Sequence, residues 1–444
     1  MATEVPVSVT RRLEPGSLSR PSMPSPRPST APAAFHVMAK PTGAICNLDC
    51  AYCFYLAKES LYPDGRFRMG EEAMEIYIHQ LLEAQRSAPV VTIAWQGGEP
   101  TLMGLGFFRR VMQTVERCRR PGQRIEHTIQ TNATLLDDDW GAFLASHDVL
   151  VGISIDGPSS LHDTYRLDKR GRPTFERVAR GLQVLRRHGV RFNVLCSVSA
   201  SNSSKPLDVY RFFRDDCGAR FLQFIPIVEH FPTPGNLEAT SDRSVTAKSW
   251  GEFLIAVFDE WLLHDVGEVS VQGFESAFGS WLGVGPGLCV FAETCGDALA
   301  IEHNGDVYSC DHFVTPEHRL GNIFSTHLID LVASDKQRRF GSAKRDSLPQ
   351  YCWDCDVRFA CWGECPKNRF IKTPAGEAGL NYLCEGYKDF FHHIDGPMRL
   401  MSSLVREGRS APEVMRILAK APRNSPCPCG STKKAKHCHR ALSR

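Results

Sequence analysis

The stretch "CNLDCAYC", residues 46–53, places three cysteines on one short segment and directs the interpretation of the whole chain. It directly follows "FHVMAK", residues 35–40, which is predicted to form the first β-strand. A structural zinc site normally takes four ligands, and no fourth Cys or His lies nearby in the sequence. Three thiolates on one compact loop suit a [4Fe–4S] cluster that leaves one iron open for a ligand from outside the protein. Cys46, Cys50 and Cys53 are therefore predicted to hold such a cluster.

The chain has 17 cysteines in 444 residues, and these thiols could form disulfides, zinc sites or iron–sulfur sites. Disulfide frameworks belong to small secreted domains, and no secretory signal is present, so a reducing cytosol is expected. A net charge of +2 and a pI near 7.9 give no electrostatic basis for binding nucleic acid or an anionic membrane. No apolar run approaches the roughly 18 residues of a membrane span. The composition therefore predicts a soluble cytoplasmic protein.

Residues 1–34 are rich in Pro, Ser and Arg and contain no long apolar segment. Such a segment buries too little surface to order itself, which predicts a disordered tail. A cleaved organelle transit peptide is the alternative, because the segment is rich in Ser and Arg and poor in acidic residues.

From residue 35 onward, short β-rich runs alternate with amphipathic helical stretches. Strands are predicted at 35–40, 90–95, 125–131, 149–155, 190–198 and 221–228, and helices at 71–85, 106–118, 174–189 and 247–265. This alternation predicts an α/β fold with a parallel sheet and outer helices, open or closed into a barrel. Ligands of such sheets bind at the carboxyl ends of the strands. The alternation then stops, which places a domain boundary near 235–270.

Short polar motifs stand at the ends of two of these strands. "WQGGEP" (95–100) follows the second strand, "SIDGP" (154–158) ends the fourth, and "HDTYR" (162–166) comes just after it. Together with the three-cysteine loop, these motifs resemble the radical S-adenosylmethionine (SAM) enzymes. The resemblance implies an α/β partial (β/α)6 barrel whose SAM-binding residues are Tyr52, Gly97, Gly98, Glu99, Ser154 and Arg166.

Within that set, the Gly-Gly-Glu-Pro motif would hold the methionine part of SAM, because glycines allow close approach to backbone groups. The resemblance assigns Ser154 to the ribose or carboxylate of SAM. It assigns Arg166 to the carboxylate, which suits a guanidinium that pairs with both oxygens. A charge on a helix surface is the alternative for Arg166.

Eight further cysteines lie within residues 289–384, and eight ligands fit two closed four-cysteine sites. Their spacing resembles the SPASM extension of radical SAM enzymes that modify peptides. The resemblance pairs Cys289, Cys295, Cys310 and Cys365 at one auxiliary cluster, and Cys352, Cys355, Cys361 and Cys384 at the other. Asn304-Gly305 is a two-residue hairpin signal that would bring Cys310 back toward Cys295. Zinc is the alternative at these sites.

Asp311 directly follows a proposed cluster ligand, so its carboxylate can remove a proton where the cluster removes an electron. The alternative is a carboxylate that caps backbone N–H groups at the end of the hairpin. The string "CDHFV" (310–314) resembles the anaerobic sulfatase-maturating enzymes, as do "CNLDCAYCFYL" and "WQGGEPTLMG". That resemblance covers about residues 35–395 and makes Asp311 the catalytic base.

Near the end of the chain, "NSPCPCGSTKKAKHCH" (424–439) provides four further ligands with basic residues between them. Cys427, Cys429, Cys438 and His439 resemble the SEC-C zinc motif, which implies a closed structural zinc site and a docking role for the tail.

The predicted organisation is a disordered tail (1–34), a radical SAM core (35–235), a linker helix with the SPASM domain (236–395), a helical linker (396–423) and the zinc motif (424–444). The resemblance implies three [4Fe–4S] clusters, SAM and one zinc ion. It also implies oxidation of a Cys or Ser in a C/S-x-P-x-R sulfatase motif to Cα-formylglycine, through a 5′-deoxyadenosyl radical.

The expected partners are a sulfatase polypeptide and a one-electron donor such as flavodoxin or ferredoxin. Nucleic acid and a membrane span are not expected. Two alternatives stay open: another SPASM peptide maturase that forms thioethers or crosslinks, and a zinc-rich adaptor without catalytic activity.

Overall fold

The computed structural model describes residue 28 and residues 31–63 and 65–439. The disordered tail predicted for residues 1–34 lies almost wholly outside the described residues. The end of the zinc motif after His439 lies outside them as well. In the described part of the chain, no helix is both long and apolar enough to cross a membrane.

Six parallel strands form the centre of the fold. They are β1 (His36–Lys40), β2 (Val90–Trp95), β3 (Arg124–Thr131), β4 (Leu150–Ser154), β5 (Phe192–Val198) and β6 (Phe221–Pro226). Each pairs with the next in chain order, and all five pairings are parallel. The predicted strands are confirmed, with ends that differ by at most two residues. The expected α/β class with a parallel sheet is confirmed too, and the strand order shows that the sheet is open.

Four more strands extend the same sheet at both ends. They are β7 (Ser270–Val271), β8 (Ala298–Glu302), β9 (Asp306–Tyr308) and β10 (Arg319–Asn322). The strand order is β10-β9-β8-β1-β2-β3-β4-β5-β6-β7, and β8 lies parallel to β1. The cysteine-rich extension therefore continues the sheet of the core. A small separate hairpin joins β11 (Ile371–Lys372) to β12 (Ala378–Leu380).

The hairpin predicted at Asn304-Gly305 is present, with a loop one residue longer than expected. Three residues, 303–305, connect β8 to β9. Gly305 adopts φ +86°, and its N–H donates to the Glu302 carbonyl at 2.9 Å. His303 therefore belongs to the turn, and the glycine supplies the left-handed backbone that closes it.

Fourteen α-helices lie in the described part of the chain, and their apolar faces cover the sheet. They are α1 (Glu71–Ala84), α2 (Leu105–Cys118), α3 (Asp138–Ser146), α4 (Ser159–His162), α5 (Phe175–Arg187), α6 (Pro206–Arg211), α7 (Ala247–His264), α8 (Gln272–Leu282), α9 (Leu328–Val332), α10 (Asp335–Asp346), α11 (Gln350–Trp353), α12 (Arg358–Cys361), α13 (Cys384–Arg406) and α14 (Glu413–Lys420). α2 shows how the sequence sets these faces, since Phe107, Phe108, Val111 and Val115 recur on one side and are buried.

The predicted boundary after residue 235 does not separate the core from the next part of the chain. α7 lies beyond it, yet Phe253 of α7 packs on Phe224 of β6 with ring centroids 5.2 Å apart. α7 covers the last core strands, so the core extends past this boundary.

The predicted boundary between residues 395 and 396 falls inside α13, which runs unbroken through it. The helix continues because its buried face does, from Tyr387 through Ile394 to Met401. The helical linker predicted over 396–423 contains the end of α13 and the separate α14.

Candidate active site

The three-cysteine loop lies beside the carboxyl ends of β2 and β3. The Glu99 N–H, after β2, donates to the Ile45 carbonyl at 2.9 Å. The Asn132 amide, after β3, donates to Cys46 Sγ at 3.6 Å. Burial raises the pKa of Cys46 to about 12, and the charges of Glu99, Cys50 and Cys53 add to this shift. The three thiols are thus close enough to interact, and a positively charged metal centre would hold them as thiolates. This arrangement fits the expected cluster.

Gly97 and Gly98 have positive φ angles of +87° and +47°. A Cβ on Gly98 would lie 2.1 Å from the Ile45 carbonyl oxygen, and one on Gly97 would lie 2.2 Å from Cδ of Lys40. The sequence suggests that these glycines make room for a ligand. In the structure they also make room for the cysteine loop and for a lysine side chain.

The Glu99 carboxylate is buried and is fully engaged by the protein. One oxygen accepts hydrogen bonds from Thr101 N (3.0 Å), Thr101 Oγ1 (2.6 Å) and Thr131 Oγ1 (2.7 Å), and the other accepts one from Asn132 N (2.8 Å). Burial raises the pKa of Glu99, and these hydrogen bonds oppose the shift. The side chain therefore ties the end of β2 to the end of β3.

Tyr52 and Arg166 meet at a third group, Asp156, for which the sequence motifs predict no role. The Tyr52 hydroxyl donates to Oδ2 of Asp156, and Nε of Arg166 donates to the same oxygen at 2.8 Å. Ser197 N donates to Oδ1 at 2.9 Å. Arg166 is only 7% exposed, so the alternative of a surface charge is wrong. Asp156 lies within the motif "SIDGP", so its position near the site was visible in the sequence although its role was not.

Ser154 ends β4 at the same edge of the sheet as these groups. Its Oγ accepts a hydrogen bond from the Gln130 amide at 3.0 Å, so its own proton can be donated to a ligand. Asp156 and Arg166 are near enough to Cys50 to influence the pKa of that thiol, which burial raises to about 11. The predicted SAM-binding residues therefore gather around the three-cysteine loop.

Lys40 links this region to Asp311. It is the last residue of β1 and is only 2% exposed. Its ammonium forms an ion pair with Asp311 and lies 4.7 Å from the centre of the Tyr55 ring. The Tyr55 hydroxyl in turn donates to Glu302, which is paired with Lys40 in the β1–β8 register. A lone polar residue at the end of an apolar strand was the only sequence signal for Lys40.

Asp311 is held as a carboxylate within this network. Burial alone would raise its pKa, but Lys40, His312 and Lys367 together hold the pKa below its usual value. The residue begins a short 3₁₀ turn directly after Cys310. The predicted base therefore lies between the Gly-Gly-Glu-Pro motif and a proposed auxiliary cluster.

The members of the first proposed auxiliary set influence one another electrostatically. Burial raises the pKa of Cys310 to about 12, with added effects from Asp311, Cys289 and Cys295. Burial raises the pKa of Cys365 well above its usual value, and the charges of Cys310 and Cys289 add to this shift.

The second auxiliary set lines one cavity of the structure. Cys352, Cys355, Cys361 and Cys384 all face it. Burial raises the pKa of Cys384 to about 12, and Cys352 and Cys355 add to that shift. The four thiols of this set therefore share one cavity, which is compatible with a common cluster.

The four tail ligands have the geometry of a tetrahedral metal site. Their donor atoms all lie within 4.8 Å of one another. Cys429 Sγ and Cys438 Sγ are 3.7 Å apart, and His439 Nδ1 is 3.4 Å from Cys427 Sγ. Zinc with bonds to sulfur of about 2.3 Å would separate two sulfur ligands by about 3.8 Å. The observed spacings fit zinc.

The tail packs on the body of the protein. Cys427 and Cys429 belong to the main apolar core. A Cβ on Gly396 of α13 would lie 2.4 Å from the Cys429 carbonyl oxygen, so the glycine permits this contact. The zinc motif is thus docked against the helix that begins at Cys384.

Substituting Cys429 with Ser is expected to remove one zinc ion per chain and leave the iron content unchanged, because the tail site shares no ligand with the others. Without metal the small segment should unfold, and limited proteolysis should then cleave the chain after residue 423. Zinc and iron analysis of the purified protein checks this. Cys118→Ser, a half-buried thiol at the end of α2, is the matched control. Unchanged zinc in Cys429→Ser would contradict the site.

Comparison with protein families agrees with this arrangement. The radical SAM superfamily model matches residues 41–199, and the model of the SPASM iron–sulfur cluster-binding domain matches residues 289–356. The SEC-C motif matches residues 423–441.

Individual relatives cover most of the chain. A serine-type anaerobic sulfatase-maturating enzyme of Bacteroides thetaiotaomicron is 43% identical over 396 residues, which cover 86% of this chain and 95% of the relative. A cysteine-type enzyme of Clostridium perfringens is 31% identical over 367 residues, covering 80% and 95%. The solved structure of native anSMEcpe with bound AdoMet superposes with a TM-score of 0.75 at 30% identity, covering 83% of this chain and 99% of that one. The chain belongs to the anaerobic sulfatase-maturating enzymes of the radical SAM superfamily.

Proposed function

We propose that this protein oxidises a Cys or Ser residue in a C/S-x-P-x-R motif of a sulfatase polypeptide to Cα-formylglycine. The observation that carries the proposal is the position of Asp311. This half-buried carboxylate is kept ionised by Lys40 and stands between the SAM motifs and a proposed four-cysteine site.

The residues present fit the cofactors of this reaction. Three [4Fe–4S] clusters would be held by the three-cysteine loop and the two auxiliary sets, and the tail would hold one zinc ion. When bound, SAM and these clusters supply the 5′-deoxyadenosyl radical and accept the electron that leaves the substrate. Backbone groups of residues 97–99, together with Ser154 and Arg166, would bind SAM.

Asp156 orients two of these residues. By accepting hydrogen bonds from both Tyr52 and Arg166, it fixes the guanidinium against the cysteine loop. Its own loop is held by the buried His162, whose Nδ1 accepts from Asp156 N at 3.3 Å. The SAM carboxylate would therefore meet a pre-oriented arginine, which reduces the cost of ordering it on binding.

Asp311 would take the proton that the substrate loses. After hydrogen is removed from Cβ of a Ser substrate, loss of one electron and of the hydroxyl proton forms the carbonyl. A Cys substrate loses one electron and its thiol proton to form a thioaldehyde, whose sulfur is then replaced by the oxygen of water and leaves as hydrogen sulfide. A carboxylate accepts that proton directly if it lies within hydrogen-bond reach. The Lys40 ammonium keeps Asp311 available as a base, and the burial of Lys40 shows that bulk water is excluded from this side of the site.

The mouth of the site presents an aromatic surface for a peptide. Phe54 is 41% exposed and meets the His312 ring edge-on at 5.6 Å, directly beside Asp311. The Lys367 ammonium lies 5.0 Å from the centre of the Phe54 ring. An extended peptide that lies across Phe54 would bring its target residue close to Asp311.

The remaining partners belong to the same proposal. A flavodoxin or ferredoxin would deliver the electron for SAM cleavage, and the zinc tail would dock to a further protein. No disulfide joins any of the 17 cysteines, all of which lie among the described residues. This supports a reducing compartment, and we propose the cytoplasm.

Other functions receive less support. Formation of thioethers or crosslinks would use the same cluster sites. However, a relative that covers most of the chain at 43% identity carries a sulfatase-maturating name. A zinc adaptor without catalysis gives no reason for the pairing of the buried Lys40 with Asp311.

The proposal is tested by anaerobic incubation of the iron-reconstituted protein with SAM, a reductant and either an S-x-P-x-R or a C-x-P-x-R peptide. We expect mass spectrometry to show the aldehyde product in at least one peptide, together with 5′-deoxyadenosine. Peptides with Ala in place of Pro and Arg are the controls for the motif. Cleavage of SAM without aldehyde from either peptide would contradict the proposed substrate.

A further inference from the structure

A buried lysine, Lys344 of α10, holds one of the proposed cluster loops. Its Nζ donates to the carbonyl oxygens of Cys289 (2.6 Å) and Val290 (2.9 Å), and also to that of Ala292. The side chain is only 1% exposed. Three carbonyl acceptors use all three protons of an ammonium, whereas a neutral amine has only two. The contacts therefore require Lys344 to be charged.

Lys344 belongs to a polar face of α10 that forms hydrogen bonds with the loops carrying the ligands of the first auxiliary set. The Gln337 amide donates to Gly296 O (2.6 Å) and to Ser309 O (3.0 Å). Gly341 O accepts from Cys295 N at 3.2 Å. A Cβ on Gly341 would lie 2.2 Å from Cys295 O, so the helix and the loop are in direct contact. These positions recur with helical spacing, so one face of α10 positions the loops that carry three of the four cysteines.

A second cation lies between the two auxiliary sets. The Arg369 guanidinium donates to Lys344 O (2.5 Å), Gly363 O (2.9 Å), Trp362 O (2.8 Å) and Glu364 O (3.1 Å). It thus joins the end of α10 to the segment that carries Cys361 and Cys365.

These cations have no carboxylate within ion-pair distance in the described part of the chain. No salt bridge of Lys344 or Arg369 to an acidic side chain is formed at 4.0 Å or less. A buried charge is costly unless an opposite charge compensates it. The charge of the buried Glu364 acts on both cations. The charge of Lys344 in turn opposes the rise that burial gives to the pKa of Cys289 and of Cys295.

We propose that Lys344 is a positioning residue for the Cys289–Cys295 loop and that its charge raises the reduction potential of the cluster held by Cys289, Cys295, Cys310 and Cys365. A nearby positive charge stabilises the more negative, reduced state of a cluster. When bound, the cluster at this site would supply the acceptor for the substrate's electron, and the adjacent Asp311 would take the proton. This inference rests on the proposed function.

The test compares Lys344→Met with Lys336→Met in the full-length, iron-reconstituted chain. Lys336 lies on the same helix but is exposed, and it donates to one carbonyl, that of Arg319. Both substitutions are made in a chain that also carries Ala at Cys46, Cys50 and Cys53, so that only the auxiliary clusters remain. A redox titration followed by electron paramagnetic resonance gives the potential of each cluster. We expect one cluster to shift to a lower potential in Lys344→Met and neither to shift in Lys336→Met.

Two further variants keep the test decisive. Lys344→Arg retains the charge and is expected to keep the potential near that of the unsubstituted residue. If Lys344→Met loses the iron of one cluster, the positioning role is supported, and Lys344→Gln, which keeps amide donors, is titrated for the potential. An unchanged potential in an uncharged variant that retains its iron overturns the proposal. The redox titration needs no substrate. Its result therefore tests the role of Lys344 independently of whether the unsubstituted enzyme oxidises the peptide.

Discussion

Substituting Cys50 with Ala is expected to abolish the reductive cleavage of SAM. Cys50 is one of the three thiols proposed to hold the first cluster, and its charge environment includes Arg166 and Asp156 of the SAM region. With one of three ligands lost, the cluster that delivers the electron is not retained. The two auxiliary sets share no ligand with this loop, so about four of the expected twelve iron atoms per chain should be lost. Production of 5′-deoxyadenosine should fall to the level without enzyme.

The control for this variant is Cys196→Ala, since Cys196 is a buried core thiol outside every proposed ligand set. It should keep its iron and its SAM cleavage. Iron analysis and chromatography of 5′-deoxyadenosine are measured on the same anaerobic samples. Continued SAM cleavage by Cys50→Ala would show that the first cluster lies elsewhere.

Substituting Asp311 with Asn is expected to separate SAM cleavage from product formation. The variant keeps the size and hydrogen-bonding capacity of the side chain and removes the carboxylate. SAM cleavage belongs to the first cluster and should continue, whereas formylglycine formation should fall by about 10²–10⁴-fold, the usual contribution of a general base. The enzyme would then make 5′-deoxyadenosine without a matching amount of aldehyde.

The matched control is Asp356→Asn. Asp356 also directly follows a proposed cluster cysteine, but it is exposed and pairs with His392 at 2.9 Å on the surface. It should leave both products unchanged. A purely structural role for Asp311 predicts loss of iron and a parallel fall in both products. Formation of aldehyde at the unsubstituted rate by an Asp311→Asn protein with all its iron would exclude Asp311 as the base.

The sequence predicted the parts of the fold that are encoded locally. Most core strands are short, largely apolar runs and β3 is rich in Ile and Thr, so all six were found within two residues of their ends. The division of the SPASM cysteines into two sets was taken from family resemblance and stays a prediction, to which the structure adds that Cys352, Cys355, Cys361 and Cys384 line one cavity. The tail site was also visible, because its four ligands fall within residues 427–439.

The features that the sequence could not predict depend on contacts between distant segments. The pairing of Lys40 with Asp311 joins residues 271 positions apart (311 − 40), and no local pattern signals it. The pairing of β1 with β8 is equally remote. The sequence suggested that Gly97 and Gly98 make room for a ligand. It does not show that the Lys40 side chain and the cysteine loop lie against these two glycines. The path of α13 through a predicted domain boundary depends on burial that only the packed fold reveals.

The pairing of β1 with β8 has a consequence for the independence of the two cluster-bearing regions. Their strands exchange backbone hydrogen bonds over residues 36–40 and 298–302, so the region with the auxiliary cysteines covers what would otherwise be an edge of the sheet. A core cut off before residue 298 would leave β1 as an edge strand with unpaired N–H and C=O groups, which invites aggregation. The region with the auxiliary cysteines therefore protects the edge of the core sheet. We expect that the core and this region cannot be transferred separately between proteins.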